Sequence, residues 1–366
     1  MSHSVRMSWV DAAKGLSIIL VVAMYSAYNT GEYTADVGPL HYFIAFATPF
    51  RMPEFFLISG LFLSQVIARP WRRYVDRRVI HYMYFYALWA FIMIALKVGI
   101  YTGAPLAMFG ALALAVVEPY GVLWFIYMLA IFSIATKLLW QFRVPNWVVI
   151  SIAAGLQMAH IDVSSYALTQ FAAYFLFFFV GFAAAPAVHR LVAWAEGHVA
   201  LSIACLLVWI IGNGLLVFSS GYAVMPTETK MGLAALPPLH LMLAIVGAMA
   251  ICVTGALLSK LPFMNWLTWL GEHSLVIYVS FTLPMSIFRG LAMWSGLLTQ
   301  TGPLSFAVLA VSITSPVALY LIIKRFSFGI FLFERPRWAR IAEDQPSASA
   351  AAWARPANVT LATSRH

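Results

Sequence analysis

Asp11, Lys14 and Tyr25 interrupt the first hydrophobic stretch of the chain, which reads Trp9-Val10-Asp11-Ala12-Ala13-Lys14-Gly15 before an apolar run from Leu16 to Met24. Lys14 and Tyr25 are eleven residues apart, close to three helical turns, so a helix carries both on one face about 16 Å apart along its axis. Charges inside a segment long enough to span a bilayer are costly, and by default they mark a pathway or a reacting site. The pattern points to chemistry carried out between membrane helices.

A second set lies at Pro49-Phe50-Arg51-Met52-Pro53-Glu54. Two prolines four apart weaken the backbone ladder, and Arg51 and Glu54, at i and i+3, share a face near mid-membrane. One reading is a buried ion pair that fixes helix packing. The broken backbone beside the charges favours the other, a pair lining a cavity.

A third set gathers at helix ends: Asp11 and Lys14 on the first span, Arg78 and His81 on the third, and Glu272, His273 and Ser274 on the ninth. Cations at that depth suit a phosphate-bearing ligand from the cytosol, whereas the alternative is side chains that snorkel and anchor helix ends. Arg72, Arg73 and Arg77 are assigned mainly to topology and lipid head groups. Glu118, just before Pro119 and Tyr120, is a candidate substrate contact at the outer face. His41, His160, His189, His198 and His240 lie at helix boundaries and are expected to be hydrogen-bonded interface residues rather than catalysts.

The elements that must position these residues follow from composition. Hydrophobic residues make up 63% of the chain and charged ones 10%, which excludes an ordinary soluble globule. The formal charge of +9 sits in short loops between apolar runs, so topology explains it and no nucleic-acid partner is expected. Cys205 and Cys252 fall inside predicted spans, which argues against a disulfide framework, and no metal-ligand spacing is present. Arg6 and the run after it resemble a secretion signal, but the run has no Ala-x-Ala-like cleavage site and reads as a retained helix.

Ten spans of roughly 20 residues are expected, near 9–29, 40–67, 79–101, 120–140, 146–160, 166–187, 199–219, 238–259, 264–289 and 304–324. Residues 104–117, apolar but short and bracketed by Pro105 and Pro119, fit a re-entrant or interfacial segment. With both termini in the cytoplasm, the inner loops collect Arg69 to Arg78, Lys137, Arg143, Arg190, Lys260 and the stretch from Lys324 to Arg340. The outer loops hold little beyond Lys230 and Arg289, as the positive-inside rule requires. Residues 1–340 form one all-α transmembrane domain around a central cavity, and 341–366 read as a disordered cytoplasmic tail.

The stretches WVDAAKGLSIILVV, FRMPEFFLISGLFLS, DRRVIHYMYFY, LWFIYML, LGEHSLVIYVSFTLPM and LFERPRWARI resemble, in this order, the acyltransferase-3 family of integral membrane O-acyltransferases. The similarity covers about residues 5 to 340 and is strongest to the fucose 4-O-acetylase-like branch. It implies transfer of an acetyl group from cytosolic acetyl-CoA to a hydroxyl of an exported or cell-surface glycan. It further implies a bacterial inner membrane, lipid neighbours and no metal.

By that resemblance Lys14, Arg78 and His81 contact the CoA phosphates or orient the thioester. Asp11, Arg51, Glu118, Glu272, His273 and Ser274 are the expected substrate contacts. The family's first helix usually carries a basic residue, ten intervening residues and a histidine that serves as base; here Lys14 fills the first position and Tyr25 the second. His81 likewise stands where Arg-x-x-Arg is more common. Histidine, with a reference pKa near ~6.5, is a usable base at neutral pH, whereas tyrosine near ~10 keeps its proton. Either Glu54, then His41, supplies the base, or the chain is a slow or inactive variant. Two rival classes remain: a transporter or flippase of a lipid-linked saccharide, and a non-catalytic scaffold.

Overall fold

A hydrocarbon environment offers no partners for backbone N–H and C=O groups, so a chain that spans it closes its hydrogen bonds inside helices. The computed structural model, which describes residues 7–101, 103, 105–296 and 298–341, is built in this way. The expected tail lies outside the described residues beyond Ile341.

α1 (Ser8–Thr34) is uninterrupted and ends where Ala35 turns left-handed, at φ 53°. The proline pair divides the expected second span into α2 (Pro39–Ala47) and α3 (Arg51–Leu61), because neither Pro49 nor Pro53 has an N–H for the carbonyl four residues back. α4 (Trp71–Tyr74) passes through a π-helical turn (Val75–Ile80) into α5 (His81–Ile94). With a second π-helical turn (Ala95–Tyr101), this makes a helical span of 30 residues, Trp71–Ile100.

The segment expected to be re-entrant or interfacial is a regular helix, α6 (Pro105–Val117). With α7 (Trp124–Gln141) it gives an apolar stretch of 36 residues, Leu106–Gln141. Hydroxyls of Tyr86 and Tyr127 hold the carbonyls of Ala115 and Val116 at its end. Then come α8 (Asn146–Met158), α9 (Tyr166–Ala183), α10 (Ala185–Gly197) and α11 (Val199–Val217). An antiparallel hairpin, β1 (Ala223–Val224) with β2 (Thr229–Lys230), pairs Ala223 with Lys230. The chain closes with α12 (Pro237–Ser259), α13 (Asn265–Glu272), α14 (Ser274–Ser280), α15 (Thr282–Ser295) and α16 (Thr301–Phe326).

Seven of the described helical spans are long and apolar enough to cross a membrane unaided, and α14 with α15 makes an eighth across a 56° bend. Pro284, in the first turn of α15, has no N–H for the Ser280 carbonyl, which accounts for the bend. The ten expected spans are thus seven, or eight with the bent pair, among the described residues; the 13-residue α8 and the broken α2–α3 pair lie where two more were expected but are not among those long and apolar enough. The chain is an all-α integral membrane protein.

α1 packs against α12, α13 and α16. The approach is close because the facing positions are glycine: a Cβ at Gly271 would strike the Asp11 carbonyl, and one at Gly255 would sit 2.9 Å from the Trp9 carbonyl oxygen. In lipid, such small-residue crossings supply the packing that a hydrophobic effect supplies in water. α3 and α9 cross likewise, Gly60 on the Phe178 carbonyl and Gly181 on that of Leu57. Where α1 begins is the near end of the bundle. α12 runs antiparallel to it and places His240 at the far end.

Candidate functional site

Among the described residues, three of the cavities follow one another along the bundle. The inner one, about 290 Å³, lies beside the first turns of α1 and is walled by Lys14 and Ser17, Phe55 and Phe62, Arg78, Ser274 and Tyr278. Lys14 pairs with Asp11 at 3.4 Å, one turn earlier, and lies over the Phe62 ring, 4.4 Å from its centre. Phe62 caps the C-terminus of α3, where carbonyls lack helical partners. Arg78 fills that need: Nη2 donates to the Phe62 carbonyl at 2.9 Å and Nη1 to the Tyr82 hydroxyl at 3.3 Å. Arg78 belongs to the π-helical turn, a rare geometry that recurs at functional sites.

Arg78 also lines a second, near-end cavity of about 740 Å³, together with Arg69, Arg77, His81, Arg335 and Arg340. Asp76 and Glu334 are the acidic residues of this lining. Asp76 is committed to Arg335, 2.7 Å away, with both side chains almost wholly buried. Its Oδ1 also accepts the Ile341 N–H at 2.8 Å, so the segment 330–341 is strapped across the vestibule. Tyr84 and Trp89 fasten the strap through the carbonyls of Phe331 and Leu332. Arg77, Arg335 and Arg340, read from sequence as inner-loop charges that set topology, all stand in the vestibule wall. His81 lines the vestibule and not the inner cavity, its ring edge-on to Phe85 at 5.2 Å.

Beyond the inner cavity lies the charged pair of α3. Arg51 is 8% exposed and Glu54 0%, yet the ion pair offered by i,i+3 spacing does not form. Among the described residues, Arg51 Nε and Nη1 and both Glu54 oxygens have no hydrogen-bond partner. Unpaired buried charges are costly, which suits groups awaiting a ligand and not a packing device. Ser17 of the inner cavity lies close to Glu54, though its hydroxyl donates to the Ala13 carbonyl at 2.9 Å, and Arg51 lies within electrostatic reach of Tyr25, Tyr28 and Tyr174. Tyr25 packs on Phe281 at 5.4 Å and is absent from the inner-cavity lining. It lies within electrostatic reach of Tyr278, in the inner cavity wall, and of Tyr174, in the wall of the third.

That third cavity, about 280 Å³, opens at the far end against Pro49 and Pro53 of the helix break. It brings together Gln157, His160, Asp162, Tyr174 and His240, with the two imidazole rings 6.2 Å apart. As expected of boundary histidines, both are hydrogen-bonded, His160 donating to the Met158 carbonyl at 3.1 Å and His240 accepting from Gln157 at 3.1 Å; their sharing one cavity was not expected. Residues far apart in sequence meet where α8 and α12 converge, and no periodic signal announces that.

Other expected site residues have structural work. His41 is fully buried; its Nδ1 accepts the Gly38 N–H at 3.1 Å, which leaves Nε2–H to donate to the Pro226 carbonyl at 3.1 Å. With no free lone pair it cannot serve as a base. Glu118 accepts the Ala167 N–H at 3.1 Å and caps the start of α9, away from the three cavities. Glu272 is exposed, and His273 donates to the Trp269 carbonyl at 2.8 Å while its ring lies 4.4 Å from that indole. Of the ninth-span triplet, only Ser274 reaches the inner cavity. Among the described residues, no group of three or more His, Cys, Asp or Glu is arranged to hold a metal ion.

Comparison with known proteins agrees with a membrane enzyme. No solved structure matches the chain. A segment of 81 residues is 36% identical to "Inner membrane protein YcfT" of Escherichia coli (strain K12), covering 19% of this chain and 23% of that protein. The chain thus spans under a quarter of that relative's length in the match. Residues 7–323, which carry α1 to α16 almost entire, match the family described as "Acyltransferase domain", and the chain belongs to this acyltransferase-3 family of membrane acyltransferases.

Proposed function

We propose that the chain passes an acetyl group from acetyl-CoA, arriving from the cytosol at the near end, to a hydroxyl of an exported or surface glycan. The protein would lie in a bacterial inner membrane with both termini cytoplasmic, an orientation favoured by the arginines of the near end. The fucose 4-O-acetylase-like branch is the proposed subgroup.

One observation supports this reading above others: Arg78 stands in the wall of both the arginine-lined vestibule and the smaller inner cavity. A ligand with a polyphosphate head and a long uncharged arm ending in a thioester has that distribution of charge. Arg77, Arg78 and His81 would meet the phosphates, for which a guanidinium fork is suited. Lys14, held by Asp11, and Ser274 would orient the thioester.

In the reaction the acceptor hydroxyl oxygen attacks the thioester carbonyl carbon, the C–S bond breaks, and CoA departs as its thiolate. The hydroxyl proton goes to a base. Glu54 is the proposed base, because among the described residues its two buried oxygens lack hydrogen-bond partners and it lies close to Ser17 of the inner cavity wall. Lys14 would stabilise the developing oxyanion. Tyr25 and Arg51 would orient the acceptor, Tyr25 donating a hydrogen bond in place of the family's histidine. The test is mass spectrometry of host surface glycans with and without the gene. A glycan heavier by one acetyl group only when the gene is present is expected; identical glycans would overturn the proposal.

A further inference from the structure

The far-end cavity has a lining opposite in character to the vestibule. None of its described lining residues is Lys or Arg, and its one carboxylate is Asp162. Gln157 is 5% exposed, and its Nε2 donates to His240 Nδ1 at 3.1 Å. Among the described residues Gln157 Oε1 has no partner, although it is buried. Leaving a buried amide oxygen unsatisfied is costly, so something with a donor is expected to meet it. The bond to His240 Nδ1 leaves the opposite ring nitrogen, Nε2–H, as a donor. His160 holds a left-handed backbone, φ 45°, which few residues other than glycine adopt and which histidine, asparagine and aspartate tolerate best. Tyr174 adds an aromatic wall and lies within electrostatic reach of Arg51.

We propose that this cavity is a binding site for an uncharged, hydroxyl-rich ligand, a neutral saccharide, separate from the acetyl-CoA site. Its hydroxyls would donate to Gln157 Oε1 and Asp162 and accept from His240 Nε2–H. A phosphate or uronate would find a carboxylate and no cation. Assigning the ligand the role of acceptor rests on the acetyl-transfer reading; the binding itself does not. If that assignment holds, donor and acceptor reach the Tyr25–Arg51 centre from opposite ends of the bundle.

The experiment uses saturation-transfer difference NMR on the full chain in nanodiscs. Methyl glycosides of fucose, galactose and glucose are the neutral probes, and methyl glucuronide is the anionic one. At least one neutral glycoside should bind, and Gln157→Leu should weaken it about tenfold, the loss expected for one buried hydrogen bond. Asp162→Asn, at an exposed position where folding is not at stake, should weaken it as well. Arg78→Gln should leave glycoside binding unchanged, and Gln157→Leu should leave acetyl-CoA binding unchanged. Absence of neutral glycoside binding, binding indifferent to both Gln157→Leu and Asp162→Asn, or preference for the glucuronide would overturn the proposal. Glycoside binding without acetyl-CoA binding would sustain it and overturn the transferase reading instead.

Discussion

Asp76 and Arg335 form a buried ion pair at 2.7 Å that joins the π-helical turn carrying Arg78 to the last described segment of the chain. The Arg335 guanidinium also donates to the Asp76 backbone carbonyl, so both backbone and side chain are engaged. Removing one member of such a pair leaves a buried charge and costs about 3–5 kcal/mol. Asp76→Asn or Arg335→Gln is expected to free residues 330–341 from the vestibule and weaken acetyl-CoA binding. Hydrogen exchange of that segment checks this: protection equal to the parent in both variants would mean that the pair does not hold the strap.

Helix crossings at glycine give a stability prediction independent of chemistry. A Cβ at Gly181 would strike the Leu57 carbonyl, so Gly181→Ala should push α3 and α9 apart at a cost of about 1–3 kcal/mol. Gly155, on α8, has nothing within 4 Å of such a Cβ, and Gly155→Ala should be neutral or stabilise by about 0.5–1 kcal/mol. Thermal unfolding in detergent should rank Gly155→Ala at or above the parent and Gly181→Ala below it. The reverse order would remove the close crossing as a determinant of the fold.

Tyr25 packs on Phe281, where a smaller imidazole would fit without overpacking. Tyr25→His should therefore raise acetyl transfer, by up to the ~10²–10⁴-fold that a positioned base contributes. Tyr25→Phe should lower it if the phenol orients the acceptor. Initial rates with labelled acetyl-CoA decide the matter. An unchanged rate in Tyr25→His beside an abolished one in Tyr25→Phe would make the phenol itself essential.

The fold was legible in the sequence because span length and charge asymmetry are one-dimensional signals. Pro49, Pro53 and the charges between them announced the break in the second span. Lys14 and Arg78 were legible as cations out of place in apolar runs, but not that they would meet at Phe62. Arg335 and Arg340 looked like loop charge, since only the strap brings them to the vestibule. Gln157 and His240 are ordinary residues at helix ends until α8 and α12 place them in contact. His41 and Glu118 looked available because the N–H groups that occupy them come from the backbone, which sequence patterns do not display.

The most direct test is equilibrium binding of acetyl-CoA to the purified chain in nanodiscs, measured for the parent, Arg78→Gln and Arg190→Gln. Arg190 is exposed on α10 and lines neither near-end cavity, so its variant should bind as the parent does. On the proposed donor site Arg78→Gln would lose a charge-assisted contact to acetyl-CoA, and it should bind about 10–100-fold more weakly while remaining folded and inserted. Equal affinity in the parent and Arg78→Gln, or no binding by the parent, would contradict a donor site built around Arg78.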